Sequence, residues 1–211
     1  MSVLEKIAYY QNRRDEVPNK ELARELAETK NLAGIDEIAK NLWHKNKSVS
    51  SDCLKVLYEI GYINPDLISE YADKFLKLLK SKINRMAWGA MIALATIAER
   101  KSTEIWANIN DVINAVENGT LITVVWGIKT LAIVASTDKK YNEFIFPFLV
   151  EHLKKSIPRD LLLHAESILP AVNSENKEEV LAVLDSRKSE LKPSQIGRFR
   201  KLLRNLEAKK P

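Results

Sequence analysis

The sequence predicts an all-α protein, an α-α superhelix of stacked helical hairpins. Three observations carry that prediction. Ala87-Trp88-Gly89 returns as Val125-Trp126-Gly127, 38 residues later, each time inside an uncharged stretch rich in small residues. A period near 38 is expected of two-helix units that bury their apolar sides only against neighbours. Charged amphipathic segments alternate with segments that are apolar nearly all round, as helices at the rim and in the middle of such a stack must. Finally, 6 Gly and 7 Pro in 211 residues leave little room for the tight turns of an all-β chain.

The elements can be justified in order. Ser2 with Glu5 reads as a capping box that opens a short helix toward Arg13 and Arg14. Pro18 and Asn19 close it and open a second, so helices at 2–14 and 19–30 are expected to cap the N-terminal side. Five outer-then-inner pairs follow at about 32–62, 64–99, 102–136, 138–173 and 174–208. Asn64-Pro65-Asp66 combines an N-cap, a proline at the first helical position and an acid at the positive end of the dipole. Asn84, Ser102, Ser156-Ile157-Pro158, Ser174 and Pro193-Ser194 supply further starts, and Gly61 and Asn118-Gly119 supply stops.

Leu67, Tyr71, Phe75, Leu78 and Leu79 line one face of an outer helix, and Phe144, Phe148, Val150 and Leu153 do so in a later one. Small residues at Ala87, Gly89, Ala90, Ala93 and Ala95 allow close helix approach. Glycine inside a helix costs about 1 kcal/mol relative to alanine, so its return at Gly127 marks a contact that compensates. The whole is expected to be one domain, 1–211, with repeats over 32–191 and a basic C-terminal capping helix at 192–211.

Composition bounds the setting. Cys53 is the single cysteine, so no internal disulfide forms and a reducing compartment suits the chain. Met1 to Gln11 has no basic region followed by an apolar one, and the longest strongly apolar run, Met86 to Ala98, falls short of the ~20 residues of a spanning helix. A cytoplasmic protein with no membrane partner is expected. Net charge is +5, but Ser186 to Pro211 holds nine basic residues against Glu190 and Glu207, leaving the remainder nearly neutral.

Basic residues recur early in inner helices, followed by Ala and Leu at packing positions. Arg85 and Arg159 lie 74 residues apart and Arg198 follows 39 later, while Ile122 or Thr123 takes the corresponding place in the unit between. This pattern resembles HEAT-like (armadillo-type) α-solenoid repeats over about 32–208. The whole chain is similar to functionally uncharacterised prokaryotic HEAT-like proteins. The resemblance implies a scaffold or adaptor and no single activity.

The sequence assembles no catalytic grouping. His44, His152 and His164 lack metal-ligand spacing, and Glu151-His152 is one dipeptide where HEAT-like iron hydroxylases repeat the pair. Cys53 beside Asp52 has no positive neighbour to favour a thiolate. HEAT-like alkylpurine DNA glycosylases pair an aromatic with an acid one helical turn away. Here Trp43, Trp88, Trp106 and Trp126 are followed four residues later by Lys47, Ile92, Asn110 and Thr130, so nothing of that site carries over. No metal or cofactor is required.

Two binding surfaces remain. Trp88 and Trp126, bordered by Arg85, Lys129 and Arg159, form a candidate aromatic ladder for a protein or peptide on the concave face. The competing expectation is that both indoles plug gaps between hairpins. On the last helix Ile196, Phe199, Leu202, Leu203 and Leu206 make an apolar stripe, and Arg198, Arg200, Lys201 and Arg204 form a basic face. That face serves either as the polar outside of a terminal cap or as a nucleic-acid contact. The lysines at 74, 77, 80 and 82 read as a solvated face. A non-enzymatic protein- or peptide-binding scaffold is the expected function; the alternative is nucleic-acid binding through the basic C-terminal end, of which a DNA-repair glycosylase would be the enzymatic variant.

Overall fold

The computed structural model describes residues 2–208, and every regular element among them is helical. The α-helices are α1 (Val17–Glu28), α2 (Leu32–Lys40), α3 (Lys47–Ile63), α4 (Ala72–Leu78), α5 (Asn84–Ile97), α6 (Ser102–Ala107), α7 (Ile109–Asn118), α8 (Leu121–Thr137), α9 (Lys139–Lys155), α10 (Leu161–Ser167), α11 (Lys177–Ser186) and α12 (Ile196–Glu207). The chain divides into two compact units that part within α8, after Gly127.

In unit 1, α3 lies against α1, α2 and α5, and α5 also packs on α4. Val49, Cys53, Leu54, Val56, Leu57 and Ile60 of α3 are buried, as are Met86, Ala90, Met91, Ala93, Leu94 and Ile97 of α5. Two helices with so little polar surface survive in water only when covered from several sides. The recurrent glycines serve that coverage. A Cβ on Gly89 would stand 2.7 Å from Leu54 Cδ2, and one on Gly127 would overlap Val116. Gly61 is not a helix stop, because α3 continues to Ile63 and Asn64 caps it. A Cβ there would overlap Thr96 and meet Ile68 Cδ1 at 2.8 Å, so this glycine marks a helix contact.

The expected helix at 2–14 is instead a 3-10 turn over Val3–Lys6, capped by Ser2. Distant side chains capture the amides that would have extended it. Ala8 N–H donates to Asn19 Oδ1 at 2.9 Å, and Tyr9 N–H donates to Asp52 Oδ2 at 2.8 Å. Asn19 Nδ2 donates to Asp52 Oδ1 at 2.9 Å, and Asn12 turns the chain with φ 52°.

Other outer helices are also interrupted. Pro65–Leu67 and Ser69–Tyr71 are 3-10 turns before α4, and this tighter winding puts Ile68, not Leu67, in the core. Asn64 caps as expected, accepting from Asp66 N–H. Asn108 separates α6 from α7. At the start of α5 the Asn84 side chain caps nothing; Ser81 Oγ accepts from Ile83 N–H at 3.2 Å.

In unit 2, α9 packs on α10 and α11, and α12 packs on α10 and α11. Asp138 caps α9, accepting from Lys140 and Tyr141 amides. The buried stripe of α9 is Ile145, Phe146, Leu149, Val150 and Leu153, so the core face lies one residue round from the expected one and leaves Phe144 exposed. At the other end Arg187 reaches in from the C-cap of α11. Its Nη1 donates to Leu153 O at 2.8 Å, Lys154 O at 3.2 Å and Ser156 Oγ at 3.1 Å, satisfying carbonyls that the end of α9 leaves open. Asn142 Nδ2 donates to Ala171 O at 2.7 Å and its Oδ1 accepts from Asn176 Nδ2 at 3.0 Å. Phe199, Leu202 and Leu206 seat α12. Residues 209–211 of the expected 192–211 helix lie outside the described residues.

His152 and His164 meet edge to face, ring centroids 4.6 Å apart, with His152 Nε2 and His164 Nδ1 buried and without hydrogen-bond partners. Burial, with His164 alongside, lowers His152 to about 4, and burial lowers His164. Below the ordinary histidine value near 6.5 the unfolded chain therefore binds protons that the folded one refuses. Stability is expected to fall as pH drops from about 6.5 toward 4 and to flatten in His152→Phe, read as melting temperature against pH.

The glycines give a graded series. Gly127→Ala pushes on a stiff β-branched Val116 and should cost about 1–3 kcal/mol. Gly89→Ala, facing the flexible end of Leu54, should cost less, and Gly197→Ala, with nothing within 4 Å, should be neutral or slightly stabilising. Equal denaturant midpoints for all three would remove the close-approach account of these glycines.

Candidate functional site

Along α3, Lys55, Tyr58, Glu59 and Tyr62 fall at i, i+3, i+4 and i+7, which places them on one stripe. That stripe meets the tryptophans of α5 and α8. Trp88 lies 6.3 Å from Tyr58 between ring centroids, Tyr58 lies 6.0 Å from Tyr62, and Tyr62 lies 5.9 Å from Trp126. The rings are tilted or edge to face, at 54°, 74° and 45°, arrangements that the aromatic quadrupole favours. Trp88, Tyr58, Tyr62 and Trp126 thus form a continuous four-ring path within unit 1.

Within this path Tyr58 is buried, Tyr62 is 47% exposed, and each indole is half-buried. The tryptophans therefore contribute to packing and still present surface. Ile122, one helical turn before Trp126, is exposed, as are Ile63 and Leu121 near the same helix ends.

Charge sits at one end. Lys55 Nζ, almost wholly buried, pairs with Glu16 Oε2 at 2.8 Å and Glu59 Oε1 at 2.7 Å, and stands 4.8 Å from the Tyr58 ring centroid. Burial opposes the ammonium charge, but hydrogen bonds to Glu16 and Glu59 outweigh it and raise the Lys55 pKa. The Lys55 hydrogen bond in turn lowers Glu16. Arg85 lies over Trp88 at 5.9 Å and reaches Glu16 Oε1 at 3.5 Å. Burial raises Tyr58 and pushes Tyr62 up to about 12, so both phenols stay neutral near pH 7.

The structure thus brings together Arg85, Trp88 and Trp126 of the expected ladder and adds Tyr58, Tyr62, Lys55, Glu16 and Glu59. The remaining candidates belong to unit 2. Lys129 is exposed on α8, and Arg159 sits in the turn before α10, 3.3 Å from Asp160. Arg198 of α12 binds Glu166 through two contacts at 2.7 and 2.5 Å, while Arg200, Lys201 and Arg204 are exposed. Among the described residues no group of three or more His, Cys, Asp or Glu could hold a metal, and no helix is long and apolar enough to cross a membrane. Cys53 is buried, and burial with Asp52 nearby pushes its thiol up to about 12, far from a reactive thiolate.

No family model matches the sequence, and no curated protein does. Solved structures do match. A designed armadillo repeat protein in complex with the peptide (KR)4 superposes with a TM-score of 0.68 at 15% identity, over 89% of this chain and 86% of that one. An engineered protein aligns at 0.65 and 18% identity, covering 99% and 98% of the two chains. A second designed armadillo repeat protein gives 0.65 at 13% identity over 96% and 99%. This chain has an armadillo/HEAT-like helical-repeat fold. At these identities the likeness concerns the repeat architecture and leaves the ladder as a feature of this chain's own residues.

Replacing the buried ammonium tests the charged end of the ladder. Lys55→Met should cost about 2 kcal/mol, somewhat below the usual penalty for an orphaned buried ion because Glu16 is half-exposed. A double-mutant cycle with Glu59→Gln should return a coupling near 1 kcal/mol. Additive effects would mean that the pair is incidental.

Proposed function

We propose that the protein is a non-enzymatic scaffold that binds an extended protein or peptide segment along the aromatic ladder. The observation that supports it is the unbroken ring path from Trp88 through Tyr58 and Tyr62 to Trp126, part of it open to solvent. Tryptophan, tyrosine and arginine are the side chains that most often dominate binding energy, because they offer large rigid surfaces at small entropic cost. Tyr62, the two indoles and exposed Ile122 would receive apolar or aromatic side chains of the partner. Arg85, held over Trp88, would donate to a partner carbonyl or carboxylate.

Because Glu16, Lys55, Glu59 and Arg85 balance one another, selectivity on this face rests on rings more than on net charge. That a structural neighbour of the same fold is in complex with a peptide agrees with such a role. Phosphate contact through α12 is the weaker reading. Arg198 is bound to Glu166, and the ring of Phe199 is buried, so α12 offers no open aromatic surface for a base.

Peptides selected from a displayed random library against the full chain provide the probe. Tyr62→Ala and Trp126→Ala should each weaken the selected peptides at least tenfold, about 1.4 kcal/mol, with unchanged circular dichroism. Arg200→Glu with Lys201→Glu on α12 should leave affinity as it was. Selected peptides that bind equally well to both ring variants would refute the proposal.

A further inference from the structure

We infer that a second surface of unit 1, the cleft beside Trp43, binds single-stranded nucleic acid. It shares none of the four rings of the ladder and stands independently of the peptide reading.

Trp43 ends a short 3-10 turn after α2 and is 54% exposed. No other tryptophan is so open, since Trp88, Trp106 and Trp126 are all partly covered. Beside it lies a cleft of about 340 Å³ whose wall includes Lys45, Lys47, Lys77 and Lys80 and not one carboxylate. A fifth ammonium, Lys74, lies 5.8 Å from the Trp43 ring centroid. Lys45 and Lys47 have no ion pair among the described residues. Lys77 and Lys80 reach out to Asp73 at 3.4 Å and Asp111 at 2.9 Å, but both pairs are exposed. Exposed pairs contribute little and exchange readily for another anion.

Gathering ammonium groups around a half-open indole adds little to the fold, because like charges repel and more than half of the tryptophan surface gains no burial. It suits a ligand that carries anions and flat rings together. Unpaired bases stack on an aromatic face while lysines neutralise the adjoining phosphates. A base within a duplex offers no free face to Trp43, so a single strand is the form that fits.

Length also favours a strand over a lone nucleotide. Lys47 and Ile83 line a second, adjacent cleft of about 490 Å³ that also holds Arg14, while Arg85 at its edge is paired with Glu16. Cations therefore continue past one nucleotide's reach. Of the carboxylates in that second cleft, Asp15 is paired with Arg13 and Glu16 with Lys55 and Arg85, while Asp52 keeps its charge and is turned toward the Tyr9 amide and Asn19. With only Ser, His and Lys as polar side chains near the stacking position, binding is expected to be tolerant of sequence.

Fluorescence anisotropy of labelled oligo-dT and oligo-U, about ten nucleotides long, on the full chain tests this. Binding at about 50 mM salt should weaken steeply by 200 mM. Trp43→Ala should weaken it about fivefold or more. Lys45→Glu with Lys47→Glu should weaken it further and reduce the slope of log affinity against log salt by about 0.7 for each phosphate that is no longer neutralised. Tyr62→Ala, in the ladder, and Arg200→Glu, on α12, should leave it unchanged, which separates this site from the other two surfaces. All these positions are exposed, and a melting curve confirms that each variant folds. No binding at 50 mM salt would overturn the inference. So would duplex DNA or heparin binding as tightly as the oligonucleotide, an acidic peptide displacing it at lower concentration, or affinity unaltered by Trp43→Ala.

Discussion

Helix α3 can exist only while α1, α2 and α5 cover it, and much of unit 1 follows from that requirement. Its apolar residues leave so little surface for water that neighbours must come close. Close approach then requires glycine at the crossing points, as at Gly61 within α3 and Gly89 in α5. It also confines Lys55, whose stem lies inside while its charge must be met where it stands. Glu16 from the chain entering α1 and Glu59 from the next turn of α3 meet it. Where the cover ends, Tyr62 emerges beside Trp126, joined through buried Tyr58 to Trp88. The ring path is thus the edge of a packing solution, and any ligand it takes uses surface that the fold has already ordered.

Much of this was legible because it is local or periodic. The Trp-Gly recurrence marks two close helix approaches, Gly89 against α3 and Gly127 against α7 and α5, so a spacing of 38 residues exposes them without any knowledge of the partner. Asn64-Pro65-Asp66 works as read because a cap acts within three residues. What failed was decided at a distance. Nothing between Ser2 and Arg14 says that Asn19 and Asp52 will take the amides of Ala8 and Tyr9. Gly61 looked like a stop because a glycine near a helix end usually is one, and only Thr96, 35 residues on, shows otherwise. Tyr58 and Tyr62 were missed although the spacing of Lys55, Tyr58, Glu59 and Tyr62 was in plain view. The value of that stripe lies in joining the tryptophans, and no spacing within α3 tells which helices it will meet. The lysines at 74, 77, 80 and 82 read as a solvated face in sequence because Trp43, the ring that changes their meaning, comes some thirty residues earlier.

The two surfaces of unit 1 differ less in composition than in how their charges are settled. At the ladder each cation has a carboxylate within reach, so the field is short and apolar contact decides. Around Trp43 several ammonium groups are left uncompensated or loosely held, so the field extends into solvent and falls off over about 10 Å at moderate ionic strength. Surfaces of the first kind discriminate by shape, whereas those of the second kind gather ligands quickly and release them when salt is added.

Arg187 couples two helices of unit 2 in a way that bears on how that unit comes apart. Its guanidinium stands at the end of α9 in place of water, yet it is anchored at the end of α11 and braced by Glu190. Unwinding the last turn of α9 strips the arginine of its acceptors, and loosening α11 leaves those carbonyls bare. Opening either helix end therefore costs the other a partner, which couples the fraying of the two.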